Sequence, residues 1–131
     1  LTDSVRIIGA EPAGADDAFR SKQKNQWLPQ TNPQTIADGL RTSLGELTWP
    51  FIRDQVDEIV CVSDDQISAA GRYFMQRSKL MIEPSSAVGV AVLFHLAATQ
   101  FESLLAHLPE VSNLNQLQIG VILCGGNLEL D

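Results

Sequence analysis

Residues 58–98 read EIVCVSDDQISAAGRYFMQRSKLMIEPSSAVGVAVLFHLAA, and this stretch decides the fold class. Glu58–Val62 is short, apolar and β-branched, which predicts a strand. The period then changes. Ser63 and Gln66 have the capping-box spacing, and the apolar residues after them, Ile67, Ala70, Gly71, Phe74 and Met75, repeat as one face of a helix. Pro84, a good first-turn residue, opens a second helix through SSAVGVAVLFHLAA. That run is apolar nearly all round, so it is expected to be buried. His95 lies within it and reads as a hydrogen-bonded core or edge histidine.

Outward from this stretch lie two more strand-like runs. Val5–Ala10 (VRIIGA) is apolar and β-branched, and Leu117–Cys124 (LQIGVILC) is the nearly continuous apolar run of a strand covered on both faces. Strands alternating with helices imply an α/β domain with a mainly parallel sheet. Three strands is thin for such a sheet, so further neighbours are expected upstream of Leu1. The first residue is Leu, close to a strand, as expected of a piece of a longer protein. Ser21–Thr35 is polar, contains Pro29 and Pro33, and reads as a surface loop.

The 131 residues are 44% apolar and 19% charged, an ordinary globular balance for one domain. The net charge of −7, with basic residues mostly scattered singly, argues against a nucleic-acid surface. No apolar stretch is long enough to predict a membrane span, and the first residues do not read as a secretory signal. Cys61 and Cys124 each lie inside or at the end of an apolar run. They read as buried thiols in a reducing compartment, which makes the cytoplasm the expected location.

Ligands of open α/β sheets bind beyond the carboxyl ends of the strands. The third run ends in Cys124-Gly125-Gly126-Asn127, where glycines would let backbone approach a ligand closely; a plain tight turn is the alternative. The first strand leads into Glu11, Pro12, Asp16 and Asp17. Such oxygens suit a hard cation, and they equally suit a helix N-terminus. Asp38-Gly39 with Arg41 and Thr42 could be only a turn, and Glu83-Pro84-Ser85-Ser86 only a helix start.

Taken together, EPAGADDAFRS (Glu11–Ser21), Thr35–Ile67, KLMIEPSSAVGVAVL (Lys79–Leu93) and GVILCGGNLEL (Gly120–Leu130) resemble the serine/threonine dehydratase and serine racemase family in order and spacing. These are fold type II pyridoxal-phosphate enzymes. The resemblance covers nearly the whole chain and is least informative over Gln100–Gln116. It implies that residues 1–131 are the C-terminal portion of the cofactor-binding, parallel-sheet large domain, an incomplete catalytic unit. It also implies pyridoxal phosphate as cofactor, and dehydration and deamination of a small amino acid, L-serine or L-threonine, to a 2-keto acid and ammonia. Serine racemase and 3-hydroxyaspartate dehydratase are the alternatives within the family. A non-catalytic cation-binding module is the alternative from another class.

The resemblance also implies roles for single residues. Cys124 stands where the family bonds the pyridine nitrogen through Ser or Cys, and Glu83 stands near the cofactor ring. Asp38 and Gly39 would line the active-site wall, and Thr42 would lie near the substrate carboxylate, where the family often has Ser. Glu11, the Ala15 carbonyl and Asp17 match the Mg2+ or Ca2+ site of racemase-like members, whereas Leu47 is apolar at a place where some members offer a polar group. Lys79 and Asn127 match positions that contact ATP in racemase-like members, and the resemblance also implies that Asn127 lies beside the cofactor. None of Lys22, Lys24 and Lys79 has the setting of the Schiff-base lysine, and no Gly-rich phosphate loop is present, so both are expected upstream of Leu1. The remainder of the catalytic chain and a second copy, forming a homodimer, are the partners the family implies.

Overall fold

The computed structural model of the chain describes residues 5–99 and 117–125. In order, these form β1 (Ile8–Pro12), α1 (Asp17–Lys24), a 3-10 turn (Asp38–Leu40), α2 (Trp49–Gln55), β2 (Glu58–Val62), α3 (Asp64–Ser78) and α4 (Pro84–Thr99). β1 and β2 pair in parallel, from Ile8 opposite Glu58 to Pro12 opposite Val62. A parallel pair needs a long crossover, which α1, the 3-10 turn and α2 supply.

β2 falls where the sequence predicts it, and its neighbouring residues Ile59 and Val60 are both buried although they point to opposite faces. β1 starts later than Val5–Ala10 and runs on through Pro12. The reason lies at Ile7, whose N–H donates to the Asp57 carboxylate at 2.6 Å, so a side chain holds the backbone just before the ladder begins. Pro12 closes the strand, and the next N–H, that of Ala13, donates to the Val62 carbonyl at 2.8 Å.

The expected capping box opens α3: the Ser63 N–H donates to Gln66 Oε1 at 2.9 Å, and the Gln66 N–H donates to Ser63 Oγ at 3.3 Å. α3 and α4 approach closely because Gly71 lacks a side chain. A Cβ there would lie 3.1 Å from the Ala87 Cβ. Val60, Val62, Ile67, Val88 and Ala91 belong to the core between sheet and helices. Val62, Ile67 and Val88 are at most 1% exposed, and burying each such side chain contributes about 1.5–3 kcal/mol.

Four expectations need correction. α4 is buried on one side rather than all round: Ser86–Val88, Val90–Val92 and Leu96 are covered, while Phe94 and Ala97–Thr99 are exposed. Two strands and α3 give it one surface to pack on. His95 is half-buried, and its carbonyl accepts the Thr99 hydroxyl at 2.7 Å.

Ser21–Thr35 is not all surface loop. α1 extends to Lys24, and Ser21 is fully buried, its hydroxyl donating to the Asp17 carbonyl at 2.6 Å and accepting the Leu28 N–H at 2.9 Å. Asn25 then ends the helix in the left-handed region.

The Leu117–Cys124 run forms no strand. Residues 117–125 have no regular secondary structure, and Ile119 and Ile122 are exposed. A strand exists only through its ladder, and the described residues offer this run no partner. It lies instead along α4, with Val121 against the core and close to Gly89. For the same reason Cys124 is exposed rather than buried, while Cys61 on β2 is half-buried; both are free thiols.

Candidate functional site

The first turn of α4 organises the site. It begins at Pro84, and the Glu83 carbonyl accepts the N–H groups of Ser86 and Ala87 at 3.0 and 3.1 Å. Two adjacent hydroxyls then hold two distant segments. Ser85 Oγ accepts the Gly39 N–H at 3.0 Å and lies 3.5 Å from Asp38 Oδ1. Ser86 Oγ accepts the Cys124 N–H at 2.8 Å. Asp38, Gly39, Glu83 and Cys124, which the sequence marks as separate weak turns, are therefore gathered at one helix end.

Glycine avoids crowding at two of these contacts. A Cβ on Gly39 would stand 3.0 Å from Ser85 Oγ, and one on Gly125 would stand 2.7 Å from the Met81 carbonyl oxygen. The backbone at Gly125 thus lies directly on the connection between α3 and α4. Asp38 and Cys124 are both exposed. Thr42, also exposed, comes two residues after the 3-10 turn. Asn127 lies outside the described residues. Sequence reasoning misses Ser85 and Ser86 as site residues. Their only signal is a pair of small hydroxyls in the first turn of an otherwise apolar helix.

The acidic corner after β1 is a second cluster. Glu11 Oε1 and Oε2 accept the N–H groups of Ala18 and Phe19 at 3.1 and 2.8 Å, so this carboxylate caps α1. Asp17 is buried, and its Oδ2 accepts the Leu44 N–H at 2.6 Å. Ala15 is buried beside them, and Asp16 pairs with Arg20 at 2.7 Å. Burial pushes the Glu11 carboxyl up to about 7, against the lowering effect of its two backbone hydrogen bonds; the charges of Asp17 and Asp16 raise it further. Among the described residues, no three His, Cys, Asp or Glu side chains are grouped so as to hold a metal. Leu47 is 90% exposed.

Lys79 sits apart from both clusters in its bonding. It ends α3 in the left-handed region, and its Nζ donates to the Gln76 carbonyl at 2.6 Å. Lys22 Nζ donates to the Arg53 carbonyl at 3.1 Å.

Known proteins resemble this chain in sequence and in fold. A family model described as pyridoxal-phosphate dependent enzyme matches residues 1–103. Serine racemase of Homo sapiens is 42% identical over 131 residues, covering 99% of this chain and 35% of that protein. The crystal structure of serine racemase from Dictyostelium discoideum superposes with a TM-score of 0.76 and 35% identity, covering 96% of this chain and 36% of the other. That of a T.th. threonine deaminase gives 0.71 and 39% identity, covering 76% of this chain and 37% of the other. The chain thus spans little more than a third of the length of each of these relatives.

Proposed function

This chain belongs to the pyridoxal-phosphate-dependent enzyme family, as an α/β piece of the fold type II kind, and from that premise we propose that it is the C-terminal part of a catalytic unit acting on L-serine or L-threonine. The complete enzyme removes the α-proton and the β-hydroxyl as water, and hydrolysis of the resulting enamine takes up a water to give a 2-keto acid and ammonia. The observation that carries this reading is the convergence of Asp38–Gly39 and Cys124 on Ser85 and Ser86.

The chemistry of the residues around Cys124 would suit one edge of a flat heteroaromatic ring. Cys124 presents a thiol whose backbone is held by Ser86, next to a glycine that keeps its neighbour flush with the chain behind. When bound, pyridoxal phosphate supplies the electron sink for charge developing at the substrate Cα. Cys124 would hold the ring nitrogen by a hydrogen bond. A thiol there can bond the nitrogen without the fixed negative charge of a carboxylate, which moderates the sink and suits elimination. Glu83 would stand beside the ring, Asp38 and Gly39 would wall the substrate, and Thr42 would meet its carboxylate. No lysine among Lys22, Lys24 and Lys79 is bonded to this cluster, so the covalent anchor belongs to another part of the unit.

A divalent cation, Mg2+ or Ca2+, would be held by Glu11, Asp17 and the Ala15 carbonyl. Glu11, Ala15 and Asp17 lie at the one corner between β1 and α1, with Ala15 and Asp17 both buried, and this placement supports the reading. The cation's role would be structural, at the corner joining β1 to α1.

Racemisation of serine is the second reading, favoured by the serine racemases among the relatives. It shares loss of the α-proton and differs in the step after it. Incubating the complete holoenzyme with L-serine and L-threonine, then measuring 2-keto acid and resolving serine enantiomers, separates the two. Keto acid with ammonia supports dehydration; D-serine alone moves the assignment to racemisation. Turnover of neither amino acid would end both readings.

A further inference from the structure

We propose that Asp64 is a positioning residue for the Asp38–Gly39 wall and that it acts through Thr35. Asp64 opens α3, where an acid is favoured by the helix dipole alone. Its carboxylate is nevertheless committed to another segment. Oδ1 accepts the Thr35 hydroxyl at 2.6 Å, and Oδ2 accepts the Ile36 N–H at 3.1 Å. The same Thr35 hydroxyl accepts the Ala37 N–H at 3.1 Å, and the Thr35 carbonyl accepts Arg41 Nε and Nη2 at 3.0 and 2.7 Å.

These bonds close residues 35–41 into a clasp around a buried centre. Thr35 is 6% exposed and Ala37 is fully buried. The next two residues are Asp38 and Gly39, so the clasp fixes where they meet Ser85. Hydrogen bonds to a carboxylate are short and strong, and they resist opening of the loop from its α3 side. On the opposite side Ser85 holds the wall through its hydroxyl, which accepts the Gly39 N–H at 3.0 Å and donates to Asp38 Oδ1 at 3.5 Å. Removing the Asp64 carboxylate would untie the loop from α3 and leave the Ser85 contacts and the loop's own Thr35–Arg41 and Thr35–Ala37 bonds to hold the wall. The clasp stands on geometry by itself; its consequence for substrate rests on the function proposed above.

The test uses Asp64→Ala, Thr35→Val and Thr35→Ser, with Asp65→Ala as control. Asp65 shares the first turn of α3 and is exposed, so its loss removes helix-terminal charge without touching the clasp. In cofactor-free protein, amide hydrogen exchange at Ala37 and Gly39 should rise about tenfold or more in Asp64→Ala and Thr35→Val. Exchange across α3 and α4 should stay unchanged, and Thr35→Ser and Asp65→Ala should match the parent. In the complete enzyme, the first two variants should raise KM for the amino acid about tenfold, with kcat within about twofold. Unchanged exchange at Gly39 in Thr35→Val, which keeps the side-chain volume, would overturn the clasp whether or not Asp64→Ala folds. A loosened loop with unchanged KM would overturn the positioning role. If the parent turns over neither amino acid, the functional reading fails, and the exchange measurement still decides the clasp.

Discussion

Glu11 shows how one buried carboxyl couples the fold to pH. It faces Cys61 across the β1–β2 register, and burial is the largest influence on both groups, pushing the carboxyl to about 7 and the thiol to about 12. The Glu11 and Asp16 charges raise the thiol further, so two acidic groups are packed where ionisation is disfavoured. The folded protein therefore binds the Glu11 proton more tightly than the unfolded chain, whose carboxyl has its ordinary value near 4.5. Stability from this group is fully present below 4.5 and is lost as pH rises through about 7. With chelator present, the urea midpoint should fall across that window, and Glu11→Gln should flatten the fall while keeping one oxygen for the α1 amides. An unchanged slope in Glu11→Gln would show that another group controls it.

At the scale of elements, the first turn of α4 is the joint on which the site depends, and Gly125 tests it. A methyl group there would sit 2.7 Å from a backbone oxygen of Met81, which cannot swing aside as a flexible side chain could. Gly125→Ala should push the segment outward, break the bond from the Cys124 N–H to Ser86 Oγ, and cost about 1–3 kcal/mol as overpacking. Chemical denaturation gives the cost, and exchange at the Cys124 amide reports the broken bond; a stable variant with that amide still protected would contradict the joint. Local signals explain what is legible in the sequence. The β2 run and the Ser63–Gln66 box depend on neighbours a few residues away, and both appear where expected. β1 is displaced because a residue 50 positions along, Asp57, captures Ile7. Leu117–Cys124 reads as a strand from its side chains alone, yet a strand needs a partner, and none is present among the described residues. The site is legible only as three unrelated turns, because the bonds that join them come from serines 46 and 38 positions away.

For the whole molecule, the question is how much chemistry these residues can carry alone. The sequence holds three lysines, Lys22, Lys24 and Lys79, within a net charge of −7. Lys22 reaches across to the Arg53 carbonyl, Lys24 lies in the last turn of α1, and Lys79 turns back onto its own helix at Gln76. A lysine that bonds covalently to an aldehyde cofactor must be held beside the ring and kept from charging, usually by burial or a neighbouring cation. Lys24 and Lys79 are exposed, and Lys22 is half-buried with its ammonium on the Arg53 carbonyl, so none of the three has that setting. Incubating this chain with pyridoxal phosphate, reducing with borohydride and mapping the modified peptides should therefore give weak labelling spread over the three lysines. Labelling should fall as salt is raised, as expected of non-specific encounter. A stoichiometric, salt-resistant adduct on Lys79 would mean that the covalent chemistry lies in this chain, and that the anchor assigned to another part of the unit is misplaced.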